Sequence, residues 1–492
     1  MSKVGTTENP LRVAIVGAGP AGFYTAEHLY KQKELTVQVD MFDRLPTPFG
    51  LVRNGVAPDH QKIKSVTNVF ERIAQKPGFR FFGYVELGRD LSVEDLLAHY
   101  HQVVYSTGAE TDRPLNVPGD DLEGSYPATE FVAWYNGHPD YRDFHFDLSR
   151  ERVAVVGVGN VAIDVARILC RTPEELLKTD IADHALEALR HSKVKEVYVL
   201  GRRGPAQAAF TTPEIKEMGE LADAGVWAPP EEVALDPLSQ QALAESSDRG
   251  VARKVEILQA YAQNQPAGKS RKLIFRFLVS PVELFDDGHG RIKAMRLVHN
   301  ELYKTDAGSL RPRATDRYEM LPVDIVFRSI GYRGVPLPGV PFHDSWGVIR
   351  NAEGRVVDSD TGAALVGQYT AGWIKRGPSG VIGTNKPDAL ETVEKMLADL
   401  AAGRINQPAN PAPEALEKLV RERQPNYCSY QDWQRLDALE VTAGKACGRP
   451  RVKLASIDEI MAALDKPAGR RRRGGRAGRR VGAFGALHHG RI

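Results

Sequence analysis

The chain has 492 residues, 42% hydrophobic and 26% charged, the balance of an ordinary globular protein long enough for two or three domains. Its 65 Lys and Arg against 63 Asp and Glu leave a formal charge of +2, so overall charge points to neither nucleic acid nor an anionic membrane as the main partner. Cys170, Cys428 and Cys447 are too widely spaced for a CxxC pair, which fits a reducing cytoplasm and argues against dithiol chemistry.

Residues 1–10 are polar, so no signal or transit peptide is expected, and no apolar run reaches the ~18–20 residues of a membrane span. Leu11 to Val16 reads as a buried strand, residues 17–22 spell GAGPAG, and Phe23 to Tyr30 continue as a helix. A second strand, about Leu35 to Phe42, ends at Asp43 and completes a βαβ unit. A strand at Gln102 to Ser106 leads into the Gly- and Pro-containing stretch Thr107 to Pro118, a candidate crossing between domains.

The same order then recurs: strand Arg152 to Val156, GVGNVA over 157–162, helix Ile163 to Cys170. A helical stretch from Pro173 to Arg190 precedes a strand at Val197 to Leu200, followed at once by Gly201, Arg202, Arg203 and Gly204. Residues 229–268 are polar and helix-prone. Strands are expected near Leu273 to Val279, Ile292 to Val298 and Val323 to Gly331, with a second crossing around Ser329 to Pro338. GQYTAGWIKRGPSGVIGTN (367–385) precedes a helix from Asp388 to Leu400 and reads as a return to the first domain. Pro408, Pro411 and Pro413 mark a linker before helices at Glu414 to Arg423 and Ser456 to Leu464. Residues 470–492 carry eight Arg and no acid, so a disordered basic tail is expected and the rest of the chain is mildly acidic.

Gly17, Gly19 and Gly22 match GxGxxG between strand and helix, where one glycine permits the turn, one admits a pyrophosphate and one allows close packing. Phosphate there would rest on a helix N-terminus. Asp43 stands about where ribose hydroxyls are held; Asp40, within the strand, is the competing choice. Gly157, Gly159 and Ala162 form a second such turn, with Arg202 and Arg203 where an NAD site would offer a carboxylate. Guanidinium groups favour a 2′-phosphate and so select NADP. Two dinucleotide sites in one chain imply hydride transfer between them, and FAD with NADPH would act as a two-to-one electron converter.

The chain resembles the adrenodoxin reductase family, including its bacterial ferredoxin–NADP reductases, over roughly Leu11 to Leu464. The likeness is carried by PTPFGLVRNGVAPDH (46–60), RRGPAQAAFTTPEIKE (202–217), RSIGYRG (328–334) and GWIKRGPSGVIGTNK (372–386). The resemblance implies an α/β fold of two dinucleotide-binding (Rossmann-like) domains on parallel sheets. An FAD domain at 1–108 and 332–466 would be interrupted by an NADP domain at 109–331, with the tail at 467–492. It places Ala21, Asp43, Leu51 and Val85 at FAD, with Trp373, Gly380, Val381 and Ile382 from the returning segment; Asp43 replaces the more usual glutamate. NADP(H) would meet Arg113, Val158, Gly159, Asn160, Val161, Arg202, Arg203, Glu214 and Gly380. His60 and Glu217 would orient the nicotinamide ring or tune its electrostatics.

Glu214 has a competing reading, a capping box with Thr211. Lys375 and Arg376 form a candidate docking patch for an acidic ferredoxin, with phosphate contact or simple solvation as alternatives. The expected partner is a ferredoxin-type iron–sulfur protein, and the expected state a cytoplasmic monomer. Rival readings are a flavin monooxygenase, a disulfide reductase, which the isolated cysteines disfavour, and an accessory nucleic-acid role for the tail, which lacks interleaved aromatics apart from Phe484.

Overall fold

The computed structural model describes residues 3–265 and 268–467. The expected tail lies, from residue 468 on, outside the described residues.

The chain opens with β1 (Leu11–Val16), the helix Pro20–Tyr30 and β2 (Val37–Asp43), followed by β3 (Phe79–Gly83) and β4 (Gln102–Tyr105). Next come β5 (Thr111–Asp112), β6 (Ser125–Pro127), β7 (Arg152–Val156), β8 (Glu196–Gly201), β9 (Ala224–Trp227) and β10 (Arg271–Phe277). Three longer strands, β11 (Val279–Asp286), β12 (Ile292–Lys304) and β13 (Leu310–Pro322), precede β14 (Ile325–Arg328) and β15 (Tyr332–Arg333). The chain ends its strands with β16 (Phe342–His343), β17 (Val348–Ile349), β18 (Asn351–Ala352), β19 (Arg355–Val357) and β20 (Ala364–Thr370).

A seven-stranded sheet runs β18-β19-β20-β4-β1-β2-β3, drawing strands from both ends of the chain. Successive residues of β1 face opposite layers: Leu11, Val13 and Ile15 join one core cluster, Ala14 and Val16 the other. That is why β1 is apolar throughout, as a central parallel strand covered on both faces must be. Each large side chain so buried contributes ~1.5–3 kcal/mol. The six-stranded sheet β6-β14-β7-β8-β10-β9 is parallel in every pairing.

The expectation of parallel sheets needs two corrections. β18, β19 and β20 pair antiparallel. Only Glu353 and Gly354 separate β18 from β19, at φ +51° and +89°, the left-handed pair of a tight hairpin that can close antiparallel strands alone. β11-β12-β13 form a separate antiparallel sheet. The two crossing stretches meet each other: β5 pairs with β15, Asp112 opposite Tyr332 and Thr111 opposite Arg333.

A helix absent from the sequence reading, Tyr430–Ala446, begins at a Ser429/Asp432 capping box. Its buried face carries Trp433, Leu436, Glu440 and Gly444. Glu440 is paired with Arg53 by two hydrogen bonds of 2.8 and 2.6 Å, which ties this C-terminal helix to the short helix Leu51–Asn54 after β2. Among the described residues no helix is long and apolar enough to cross a membrane.

Candidate active site

Both glycine turns are built alike. Gly17 has φ +107° and Gly157 φ +133°, conformations that side chains rarely adopt. A Cβ on Gly17 would stand 2.6 Å from the Ser106 carbonyl at the end of β4, and one on Gly157 would stand inside the Ser329 carbonyl at the end of β14. A Cβ on Gly22 would overlap the Gly17 carbonyl, so that glycine serves packing. Gly19 and Gly159, in contrast, face open space, with nothing within 4 Å of such a Cβ. Each is the N-cap of the following helix, with no side chain capping it, so the first N–H groups are free to meet an anion. The two turns therefore fit a dinucleotide pyrophosphate.

Asp43 closes the first turn. Its carboxylate accepts from Ala18 N and Leu45 N, each at 2.9 Å, and its carbonyl accepts from Val85 N at 2.9 Å. Asp40 is committed elsewhere: buried, it accepts from Arg12 at 2.9 Å, Arg80 at 2.6 Å and Tyr100 at 2.6 Å. Of the two acids, Asp43 alone stands at the glycine turn. Two further segments reach the same turn. Phe49 N donates to Ala18 O at 2.8 Å, and a Cβ on Gly50 would lie 3.0 Å from Gly19 Cα. A Cβ on Gly372 would lie 2.5 Å from Ala21 Cβ. Leu51 and Val381 are 42% and 51% exposed, while Val85 is buried in the core on one layer of the sheet and Ile382 packs against the core on the other. The Trp373 ring lies tilted against Tyr332 of β15, with centroids 5.6 Å apart, and its indole N–H donates to Ser379 O.

Around the second turn, the Val158 carbonyl accepts from Ala209 N and Phe210 N, and the Asn160 side chain accepts from Thr211 N at 2.9 Å. These bonds hang the short helix Thr212–Glu217 from the turn. The Thr211 side chain makes no capping bond, so the capping-box reading of Glu214 does not hold: its carboxylate is drawn to a buried guanidinium instead. Arg202 is exposed and Arg203 half-buried, and neither has an ion-pair partner among the described residues. Desolvation and the neighbouring charges of Arg202 and Arg311 lower the pKa of Arg203. Arg113 is exposed, with its N–H donating to Gly331 O across the β5–β15 ribbon. Gly380 sits apart in the returning segment, at φ +78° and packed against Thr384. Val161 is half-buried on the first turn of the helix Asn160–Cys170.

The two halves of the site meet at His60. Its Nε2 lies 3.1 Å from Glu217 Oε2 and 3.7 Å from Glu214 Oε2. Behind it is a set of residues that the sequence reading missed. Arg167, with no exposed side-chain surface, binds Asp59 at 2.7 and 3.1 Å, Asp164 at 2.7 Å and Glu214 at 3.0 Å. Arg171 adds a 2.6 Å bond to Asp59. Burial favours the protonated form of Asp59, yet Arg167 and Arg171 hold its carboxyl well below the ordinary value. Burial, then Asp164, push Glu214 upward. A signal was present: Asp164 and Arg167 are one turn apart on an otherwise apolar helix, a place where an arginine needs a partner.

The docking reading of Lys375 and Arg376 is corrected. Lys375 is 7% exposed and its ammonium is bound to Glu391 at 2.6 Å, Thr392 at 3.2 Å and Asp388 at 3.3 Å. The Arg376 guanidinium bonds to Asn385, Ser379 and Thr384. Both brace the returning loop, Lys375 from the buried side and Arg376 from the partly exposed side of the four-residue helix Trp373–Arg376.

Comparisons with known proteins agree with this geometry. A model of the pyridine nucleotide-disulphide oxidoreductases matches residues 11–225. NADPH-ferredoxin reductase FprA of Mycobacterium tuberculosis is 44% identical over 464 residues, covering 92% of this chain and 98% of that protein. The chain belongs to the adrenodoxin reductase family. Mitochondrial NADPH:adrenodoxin oxidoreductase of Homo sapiens, another member, is 42% identical over 93% of each chain. A solved structure of M. tuberculosis FprA in complex with NADPH superposes with a TM-score of 0.87 at 43% identity, covering 93% of this chain and all of that one. FprA thus shares both the sequence and the fold over nearly the whole described length.

Proposed function

We propose that the chain is a ferredoxin–NADP+ reductase of adrenodoxin reductase type, in which a hydride passes from NADPH to FAD and the electrons leave singly to a ferredoxin-type iron–sulfur protein. When bound, the flavin supplies the conversion of a two-electron hydride into single-electron steps. The protein's share is to bind, orient and exclude water. Gly17, Gly19 and Gly22, with Ala21, would hold the FAD pyrophosphate and Asp43 a ribose. Leu51, Val85, Trp373, Gly380, Val381 and Ile382 would enclose the rest. Val158 to Val161 would take the NADPH pyrophosphate, Arg202 and Arg203 its 2′-phosphate, and Arg113, Glu214 and Gly380 further parts. On this reading residues 1–108 and 332–466 form the FAD domain and 109–331 the inserted NADP domain. A monomer in a reducing cytoplasm completes it.

The observation that carries the proposal is the 3.1 Å contact of His60, from the segment behind the first turn, with Glu217, from the helix hung on the second. It joins the segments that follow the two glycine turns, and so supports a nicotinamide and a flavin meeting there. The names of the relatives, NADPH-ferredoxin reductase and NADPH:adrenodoxin oxidoreductase, support the acceptor. A dithiol mechanism is disfavoured despite the name of the family model. Cys170 and Cys428 are buried, desolvation pushing each thiol up to about 12, and the exposed Cys447 is unpaired. The proposal is tested by following NADPH consumption with a ferredoxin and cytochrome c as final acceptor. Turnover that requires the ferredoxin supports it. NADPH consumption that depends instead on an organic substrate and yields a hydroxylated product contradicts it and favours a monooxygenase.

A further inference from the structure

We infer that Arg167 is a positioning residue for the pair His60 and Glu217: it fixes the tautomer of His60 and ties the ring to the helix that follows the second glycine turn. The inference rests on the function proposed above. The helix Asn160–Cys170 otherwise buries Ile163, Val165, Ile168 and Leu169. A guanidinium in such a place is costly unless its N–H groups are paired, and here they are. One further contact has no need of ion pairing: Nη2 lies 3.4 Å from His60 Nδ1.

A guanidinium has no lone pair to offer and keeps its protons throughout the working pH range. Both Nη2 N–H groups are already donated to Asp59 and Asp164, so the contact is electrostatic: the cation faces the Nδ1 lone pair, and the proton of a neutral His60 ring sits on Nε2. That nitrogen faces Glu217 Oε2 at 3.1 Å and can donate to it. The other end of the same guanidinium binds Glu214. One side chain therefore sets the ring orientation, its tautomer and the place of a neighbouring acid. Because Arg171 also binds Asp59, replacing Arg167 does not leave Asp59 unpaired.

The test uses FAD-loaded protein carrying Arg167→Lys, Arg167→Met, His60→Gln, or Arg167→Lys with His60→Gln, reduced anaerobically by NADPH over a range of concentrations. Lysine keeps a charge but not the fork, and methionine fills the volume without an unpaired ammonium. The expected result for whichever Arg167 variant retains flavin is a limiting reduction rate lower by about 10-fold or more. The NADPH dissociation constant should stay within about 3-fold. The double variant should be within about 2-fold of His60→Gln alone, because both changes remove one unit. Unchanged limiting rates, a loss confined to NADPH affinity, or losses that multiply in the double variant would overturn the assignment. Failure of both Arg167 variants to fold would assign the residue a structural role only. Wild-type protein that NADPH does not reduce counts against the proposed function; wild-type protein that is reduced beside an equally fast Arg167→Lys counts against Arg167 alone.

Discussion

Lys64 Nζ lies 2.7 Å from Asp180 Oδ1 in a buried seam, joining the helix after His60 to the stretch before the helix Asp183–Arg190. Lys453, from the C-terminal segment, approaches the other Asp180 oxygen at 3.4 Å. Three distant parts of the chain are thus held by one carboxylate between two ammoniums. Burial alone would raise the Asp180 pKa, but Lys453 and Lys64 outweigh it and hold the carboxyl at about 2. Desolvation pushes both ammoniums downward.

This triad sets an acid limit. An unfolded aspartate titrates near ~3.9, so the unfolded chain takes up the proton first as pH falls. The carboxylate's contribution, ~2.6 kcal/mol, is complete above about pH 5 and lost as pH falls through about 2. Urea unfolding at a series of pH values should show this slope in the wild type and a weaker one in Asp180→Asn. At pH 7 the variant should be destabilised by ~3–5 kcal/mol, since two ammoniums lose their partner. Identical pH slopes would refute the assignment.

Asp40 and Asp43 should separate folding from cofactor retention. Asp43→Ala is expected to weaken FAD binding by about 10-fold or more, equivalent to ~1.4 kcal/mol or more, read from the ratio of flavin to protein absorbance after dialysis. Asp40→Asn removes the partner of Arg12 and Arg80 and should cost ~3–5 kcal/mol of stability. Flavin content per folded chain should be unaffected in that variant. The reverse pattern would mean that Asp40 holds the ribose.

Coenzyme choice should reside in Arg202 and Arg203. Each charge-assisted bond to phosphate contributes ~1.5–3 kcal/mol, so Arg202→Ala with Arg203→Ala should lower kcat/KM for NADPH by about 100-fold or more. The value for NADH should change by less than about 3-fold. Equal losses with both coenzymes would show that the arginines hold the loop rather than the 2′-phosphate.

Lys375 should behave as an internal brace. Lys375→Met leaves Asp388 and Glu391 without their ammonium and should cost ~3 kcal/mol in thermal or urea unfolding. The KM for ferredoxin, and its dependence on salt, should stay within about 2-fold for the folded holoprotein. A raised KM with unchanged stability would restore the docking role.

Much of the site could be read from the sequence where local backbone demands a residue type. The glycine turns, the acid at the end of β2 and the arginines after β8 are of that kind: each follows from one strand and one turn. What escaped depends on tertiary partners. β13 is exposed along most of its length and carries little apolar pattern; it is a strand because β12 pairs with it. The helix Tyr430–Ala446 buries Glu440 and Gly444, residues that blur an apolar stripe, and Glu440 is tolerated because Arg53, from nearly 400 positions away, joins Arg451 and the Leu454 N–H on its carboxylate. Arg167 is not singled out by the sequence, because its partner Asp59 comes from 108 positions away. Lys375 looked like surface charge because a lysine in a Gly-rich loop usually is.

The central claim is tested most directly by anaerobic stopped-flow absorbance, mixing the FAD-loaded protein first with NADPH and then with an oxidised ferredoxin. The account requires flavin bleaching much faster with NADPH than with NADH, followed by one-electron reduction of the ferredoxin cluster and recovery of flavin absorbance. A protein that bleaches with NADPH yet transfers no electrons to any ferredoxin would contradict it.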